Sequence, residues 1–449
     1  MSILALPKSK LFKNAAVLMS GTALSQGITI AAAPLLSRLY TPEQFGVFSI
    51  YTAFVSLFSV TACWKYEMSI VVPEREKESV NLVNVSMIAL LLTTLCTGLL
   101  MVIIGPYIGN WFDVPRMDVV WTVWLPLTVF SIGGYQCLSY WCTRNKKYKR
   151  QSISQIFRST GVTGMQMTGG VTGWGAIGLV LGQFVGQMIA TGVLFFQVWK
   201  EDKAKFIQET HVATMKEQAR KFKQYPLYNM PQTILNSVAQ NMTPFLLAVF
   251  FGPAVVGLYG LSLRMLQLPI HVISESVRNV YFQQASDMQN QGMPLFGLLK
   301  KTTLALIGAG IIPVLIVVVF GPQLFAFALG GTWYEAGEYA RWMVCWWFVN
   351  FFMPPAFVTG QLYNLQKHLL VYEIISLLLR VAALFSGFVY SSPLLSIALY
   401  SLVGVVMNMG LVASMLIVSR KRSLLAEKGR EEVDGVESAE KRVDSNSDV

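Results

Sequence analysis

Charge is scarce in this 449-residue sequence: 13% of the residues are Asp, Glu, Lys or Arg, about half of what a soluble domain carries. That leaves too little polar surface to cover a water-soluble body of this size. The five cysteines, Cys63, Cys96, Cys137, Cys142 and Cys345, lie in or beside apolar runs and form no C-x-x-C pair. Neither a disulfide framework nor a thiolate metal site is expected from them. The three histidines, His211, His271 and His368, are too scattered to form a ligand set. No G-x-x-x-x-G-K-[ST] stretch occurs, which excludes nucleotide hydrolysis through a P-loop. No cofactor or metal is expected, and no loop is long enough to hold a catalytic domain. These absences point to a transporter rather than an enzyme, driven by a gradient, a partner or its substrate's own gradient.

What the chain does have is apolar length: 54% hydrophobic residues and a mean hydropathy of +0.51. A membrane span needs about 20 mainly apolar residues. Twelve candidates are present, at 15–36, 45–63, 83–104, 118–140, 152–171, 174–197, 228–250, 254–276, 302–320, 342–363, 369–390 and 394–418. The fifth and seventh are interrupted by polar residues. The first is too long and too polar (Ser20, Thr22, Ser25, Gln26) for the apolar core of a signal peptide.

The net charge of +11 would suggest nucleic acid in a soluble protein, but here it tests the span map. Lys8 to Lys13, Lys65 to Lys77, Arg144 to Arg150, Lys200 to Lys223, Arg278 to Lys301, Lys367 and Arg420 to Arg422 all fall on one side of alternating spans. The other side keeps Arg38, Arg116 and Arg341. The positive-inside rule then puts both termini in the cytoplasm and leaves no need for a nucleic-acid partner. The expected organisation is a six-helix bundle over 1–198, a cytoplasmic linker over 199–226 and a second six-helix bundle over 227–418. A charged tail over 419–449 is expected to be disordered.

An internal repeat supports two halves. Thr41-Pro42-Glu43-Gln44-Phe45-Gly46-Val47-Phe48-Ser49 follows the first span, and Gly252-Pro253-Ala254-Val255-Val256-Gly257-Leu258-Tyr259-Gly260 follows the seventh. Pro42 matches Pro253, Gly46 matches Gly257 and Phe48 matches Tyr259. Pro and Gly suit a tight turn between antiparallel helices, and the aromatic suits the membrane interface. Six intervening spans, an even number, give the two halves the same topology.

A charged side chain at a helix centre costs at least about 2.5–3.5 kcal/mol on insertion scales, so it faces protein or water. Arg158, Arg264 and Arg380 lie inside predicted spans. On the eighth span Arg264, Gln267, His271, Ser274 and Arg278 follow i, i+3, i+7, i+10, i+14 spacing, one face of a helix. That stripe reads either as a cavity wall meeting an anion or as an interhelical seam with Arg264 paired to Glu373. On the eleventh span Glu373, Ser376 and Arg380 share a face, for an internal pair, a proton-linked role or substrate contact. Arg158 sits about two turns from the cytoplasmic boundary, near enough to snorkel. Buried charge is mainly positive, which favours an anionic cargo, and a lipid phosphate or pyrophosphate suits membrane access.

Several segments carry a family likeness: "SRLYTPEQFGVFSIY" (37–51), "KYEMSIVVPEREKES" (65–79), "YWCTRNKKYKRQSISQIFRS" (140–159), residues 225–270, and "GTWYEAGEYARWM" (331–343). Through them the chain, over about 10–420, resembles the bacterial polysaccharide-repeat-unit flippases (O-antigen, capsule and exopolysaccharide type). These belong to the multidrug/oligosaccharidyl-lipid/polysaccharide exporter superfamily. The resemblance implies an all-α inner-membrane protein with twelve helices in two pseudo-symmetric six-helix bundles around a central cationic cavity. By alternating access it would move an undecaprenyl-diphosphate-linked oligosaccharide to the periplasmic face. The implied partners are that glycan and membrane lipids, with a polysaccharide polymerase and a chain-length regulator downstream. Arg264 lies in "GLYGLSLRM", where the family commonly has Arg. Lys65-Tyr66-Glu67 matches a family element, read either as a loop-anchoring ion pair or as a coupling or substrate contact. The alternatives to a flippase are an organic-cation antiporter, which needs membrane carboxylates, and a membrane glycan polymerase, which needs a large periplasmic loop.

Overall fold

A chain this apolar must satisfy its backbone N–H and C=O groups without water, and helices do so within one segment. The computed structural model, which describes residues 8–113 and 117–447, is helical throughout, with no strand among the described residues. The first half contains α1 (Lys8–Leu39), α2 (Pro42–Ser59), α3 (Tyr66–Ser69), α4 (Glu76–Phe112), α5 (Leu125–Arg144), α6 (Tyr148–Val171) and α7 (Ala176–Glu209). A short α8 (Val212–Lys221) follows. The second half contains α9 (Met230–Phe251), α10 (Pro253–Asn290), α11 (Phe296–Leu329), α12 (Tyr334–Phe352), α13 (Pro354–Leu362), α14 (Gln366–Val389) and α15 (Pro393–Ser447). With α12 and α13 taken as one bent span, and α3 and α8 set aside as short, the described residues form twelve long helical segments. They match the twelve expected spans one to one, in two pseudo-symmetric sets of six. Arg116, on the charge-poor side of the topology pattern, lies outside the described residues.

By length and apolar content alone, six of the described helices qualify as membrane spans, or seven with the α12–α13 pair. The others carry polar side chains, and α6 illustrates how these are accommodated. Gln151 Nε2 donates to the Ser139 carbonyl at 2.6 Å and to Thr143 Oγ1 at 2.9 Å, while Gln166 Nε2 donates to the Leu179 carbonyl at 3.0 Å. Gly178, Gly182 and Gly186, one turn apart on α7, let α6 approach so closely that added Cβ atoms would strike Gly169, Gln166 and Val162. Small residues at a helix seam are how membrane helices pack without a hydrophobic driving force. The 41° bend between α12 and α13 falls at Pro354-Pro355, whose missing N–H groups break the helical ladder.

The chain divides into two compact units: residues 1–261 with 325–335, and residues 262–324 with 336–449. In the first, Trp121, Trp141 and Tyr51 are fully buried, and Tyr51 and Thr128 share a hydrogen bond of 2.8 Å. Segment 325–335 is tied to the end of α1. Ser37 Oγ donates to the Leu329 carbonyl at 2.8 Å, and Trp333 Nε1 donates to the Ser37 carbonyl at 2.7 Å. Helix α8 is held on this unit as well. Tyr66 Oη donates to the Ala219 carbonyl at 3.1 Å, and Asn81 bonds both the Glu209 carbonyl and the His211 N–H. The second unit packs Tyr281, Leu299, Val349, Ala356, Leu411 and Met415 into one cluster. Tyr281 and Thr359 share a hydrogen bond of 2.6 Å there.

Candidate functional site

In the second unit, α10 carries the polar stripe. Arg264 and Gln267 are half-buried, and Ser274 Oγ donates to the Phe351 carbonyl at 3.3 Å. Arg278 is exposed at the far end of the stripe, and the side chain of His271 lies outside those described. The Arg264 guanidinium has neither a hydrogen bond nor an ion pair among the described residues, and Glu373, exposed on α14, makes no ion pair there either. The Arg264–Glu373 pairing is therefore not present.

Arg380, two turns beyond Glu373 on α14, is stacked instead. Its Cζ lies 4.6 Å from the Trp346 ring centroid and 5.5 Å from that of Tyr400. The two rings meet edge to face at 5.3 Å. The Arg380 Nε and Trp346 Nε1 donors are buried without an acceptor among the described residues. Cation–π contact holds the charge while leaving the donors open. Sequence reading missed Trp346 and Tyr400, because the box is assembled from three helices, α12, α14 and α15. One available signal was the Trp346-Trp347 pair inside a predicted span, since tryptophan is favoured at the membrane interface.

The first unit contributes Arg158, half-buried on α6 and likewise without a hydrogen bond or ion pair among the described residues. It also holds the Lys65-Tyr66-Glu67 element, just after α2. Trp64 and Lys65 both take left-handed backbone conformations, with φ of 52° and 63°, which non-glycine residues adopt only at a cost. Trp64 Nε1 bonds Thr93 Oγ1 at 3.0 Å, and Lys65 Nζ lies 3.9 Å from Glu67 Oε1. The Arg144 guanidinium caps the following turn, donating to the carbonyls of Ile70, Pro73 and Glu74. Glu67 is 3% exposed, and its Oε2 has no partner among the described residues.

Burial pushes the Glu67 carboxyl above the ordinary carboxylate range, partly offset by a backbone hydrogen bond and by Lys65. A carboxyl raised in the folded state contributes stability at low pH that is lost as pH rises through its folded pKa. Glu67→Gln is accordingly expected to stabilise the protein at neutral pH and to flatten its stability between mildly acidic and neutral pH. Thermal unfolding of both proteins across that range checks this; a variant melting lower than the parent at neutral pH would contradict it.

A family model described as "Polysaccharide biosynthesis protein" matches residues 35–338, more than half of the chain. The chain belongs to this family. No curated protein matches it by sequence. Among solved structures it is similar to the lipid II flippase MurJ in an inward closed conformation. That match has a TM-score of 0.71 and 12% identity, over 92% of this chain and 90% of that one. It is also similar to an inward-facing multidrug resistance MATE family transporter of the MOP superfamily (TM-score 0.61, 14% identity, 91% of this chain and 96% of that one). A third likeness is to a MOP superfamily transporter from Pyrococcus furiosus described as having a binding pocket of reverse polarity (TM-score 0.58, 13% identity, 92% and 97%). At these identities the likeness is one of fold. The family description ties the chain to polysaccharide biosynthesis, and the fold is shared with solved membrane transporters and a flippase.

Proposed function

We propose that this polysaccharide biosynthesis family member flips undecaprenyl-diphosphate-linked oligosaccharide repeat units from the cytoplasmic to the periplasmic leaflet of the bacterial inner membrane. It works by alternating access around a central cavity, with both termini in the cytoplasm, and feeds surface polysaccharide assembly such as O-antigen or exopolysaccharide. The polymerase and the chain-length regulator act on what it delivers. The observation that carries this reading is the half-buried Arg264 guanidinium on α10, with no counter-ion among the described residues. An uncompensated cation at that depth calls for an anion or water, and a diphosphate between two apolar leaflets supplies the anion. Gln267 and Arg278 continue the donor stripe, with His271 on the same face. Arg158 and Arg380 extend the positive charge, and Glu373, Lys65 and Glu67 are the candidates for ion coupling.

Arg264→Ala is expected to lower surface polysaccharide by about ten- to a hundredfold, the loss of one charge-assisted hydrogen bond of ~1.5–3 kcal/mol, with protein levels unchanged. Arg264→Lys is expected to keep part of the output. Export is followed by glycan blotting in cells lacking the native copy. Full export by the alanine variant would remove Arg264 from the mechanism. A drug-resistance phenotype with intact surface glycan would favour the organic-cation antiporter instead.

A further inference from the structure

Helices α1 and α6 pack side by side in the first unit, and three contacts fix their register. A Cβ added at Gly21 would strike Ser152, Thr22 Oγ1 donates to Gln155 Oε1 at 2.9 Å, and a Cβ added at Gly170 would strike Leu39. The two helices therefore run in the same direction with little slippage along their length. One turn beyond the Thr22–Gln155 bond, about 4.5 Å along the axis, that register brings Ser25 of α1 to the level of Arg158 of α6.

Three donors stand at this level, each left over by its surroundings. The Arg158 guanidinium makes no hydrogen bond or ion pair among the described residues. The Gln155 amide commits its carbonyl to Thr22, which leaves its NH2 group without an acceptor there. Ser25 Oγ is buried with no partner among the described residues. The Tyr135 phenol of α5, which Ser154 Oγ approaches at 3.4 Å, is the described titratable group close enough to act on the Arg158 charge. No described carboxylate does so. The side chains of this unit that lie outside those described, 1–19 and 114–116, include no Asp or Glu. Within the unit the local charge is therefore positive wherever they lie.

A half-buried cation surrounded by unused donors is matched by an acceptor that is also an anion. We propose that Arg158, Gln155 and Ser25 form an oxyanion site, complete within the first unit, that takes a phosphate or carboxylate group. The guanidinium fork bonds two oxygens of such a group at once. The Gln155 NH2 group and the Ser25 hydroxyl add further N–H and O–H donors from two helices. Arg158 and Gln155 are half-buried and Thr22 is exposed, so the site is open on one side, with the buried Ser25 hydroxyl at its floor. That the oxyanion belongs to the diphosphate of the exported lipid rests on the proposed function; the binding itself does not.

The test treats full-length protein in nanodiscs with phenylglyoxal, which modifies accessible guanidinium groups, and reads Arg158 by peptide mass spectrometry. Inorganic pyrophosphate, farnesyl diphosphate and galacturonate are the competing probes, with neutral galactose as control. Arg158 is expected to be labelled in the free protein. At about 10 mM probe, roughly tenfold above a millimolar dissociation constant, labelling is expected to fall about tenfold with at least one anion and not with galactose. Protection by pyrophosphate or galacturonate assigns a free oxyanion; protection by farnesyl diphosphate at far lower concentration assigns a lipid-borne diphosphate. Ser25→Ala with Gln155→Leu is expected to weaken protection about tenfold or more, leaving Arg158 as reactive as in the parent. Should the double variant misfold, Ser25→Ala alone shows the smaller loss. An unlabelled Arg158, no protection by any anion, or equal protection in parent and variants overturns the site. Arg264→Ala separates the two proposals: lost export with Arg158 still protected supports both. Unchanged export with protection intact defeats the flippase role of Arg264 and leaves the oxyanion site standing.

Discussion

Replacing Gly46 by valine is expected to leave little folded protein. The two copies of the internal repeat pack against each other: a Cβ added at Gly46 would strike the Pro253 carbonyl, and one added at Gly257 would strike the Pro42 carbonyl. The contact is reciprocal, each proline at the first turn of its helix (α2 or α10) facing the glycine one turn into the other. One turn further on, Gly260 faces Ser49, whose Oγ would lie 2.6 Å from an added Cβ. Cα–H groups approaching carbonyl oxygens recur at close helix–helix contacts. Ordinary overpacking costs ~1–3 kcal/mol because side chains can move aside. Here the obstacle is backbone at the start of two helices, so about 3 kcal/mol or more is expected for Gly46→Val and equally for Gly257→Val. Gly27→Ala is the control, since nothing lies within 4 Å of an added Cβ there and alanine is the better helix former. Size-exclusion profiles and unfolding temperatures in detergent decide it. A Gly46→Val protein that elutes and melts like the parent would mean the helices do not meet at this contact.

The same contact marks what the sequence could and could not reveal. Pro42/Pro253 and Gly46/Gly257 were legible as a repeat, and turn formation explained the prolines. The glycines have a different reason: they are close-approach points between two helices far apart in the chain, which no local pattern encodes. The spans were legible because hydropathy and the alternating basic residues report on the same quantity, depth in the membrane. Helix ends were not, because α7 to Glu209 and α10 to Asn290 continue in polar sequence where hydropathy falls silent. The stripe Arg264, Gln267, Ser274 and Arg278 was legible as i, i+3, i+10, i+14 spacing on one helix. The surroundings of its charges were not: the sequence offered Glu373 as a partner for Arg264, and no such pair forms. The Trp346–Tyr400 box around Arg380 needed three helices to converge. The left-handed pair Trp64–Lys65 carries no glycine to announce it.

Asp202→Ala is the second substitution expected to have a large effect, because Asp202 is the buried partner of Arg150, a member of the basic run. The run Arg144 to Arg150 enters the sequence reading as a positive-inside signal, yet Arg150 is only 6% exposed and Asp202 7%. Arg150 Nη1 bonds Asp202 Oδ2 at 3.0 Å, its Nη2 bonds Glu201, and Trp141 Nε1 also donates to Asp202 Oδ2, at 3.2 Å. The α6 end of the bundle is thereby tied to α7 and α5 through one carboxylate. Removing that carboxylate leaves the Trp141 indole N–H unpaired and the buried guanidinium with Glu201 as its remaining partner, so about 3 kcal/mol, the lower end of the cost of breaking a buried pair, is expected. Glu201 is the contrasting case. It is exposed, and Lys147 and Arg150 hold its carboxyl below the ordinary range. Its small contribution is present at neutral pH and lost as pH falls through that lowered value, so Glu201→Ala should change little. The double variant Arg150→Met with Asp202→Leu should recover most of the stability, because an apolar pair of similar volume replaces a buried ion pair at little net cost. Unfolding temperatures of the three variants, read with export in cells, separate the two roles of the basic run. If Asp202→Ala melts with the parent, the pair is not buried as described. If the double variant is stable but inserts poorly, Arg150 counts as a topology charge as well as a structural one.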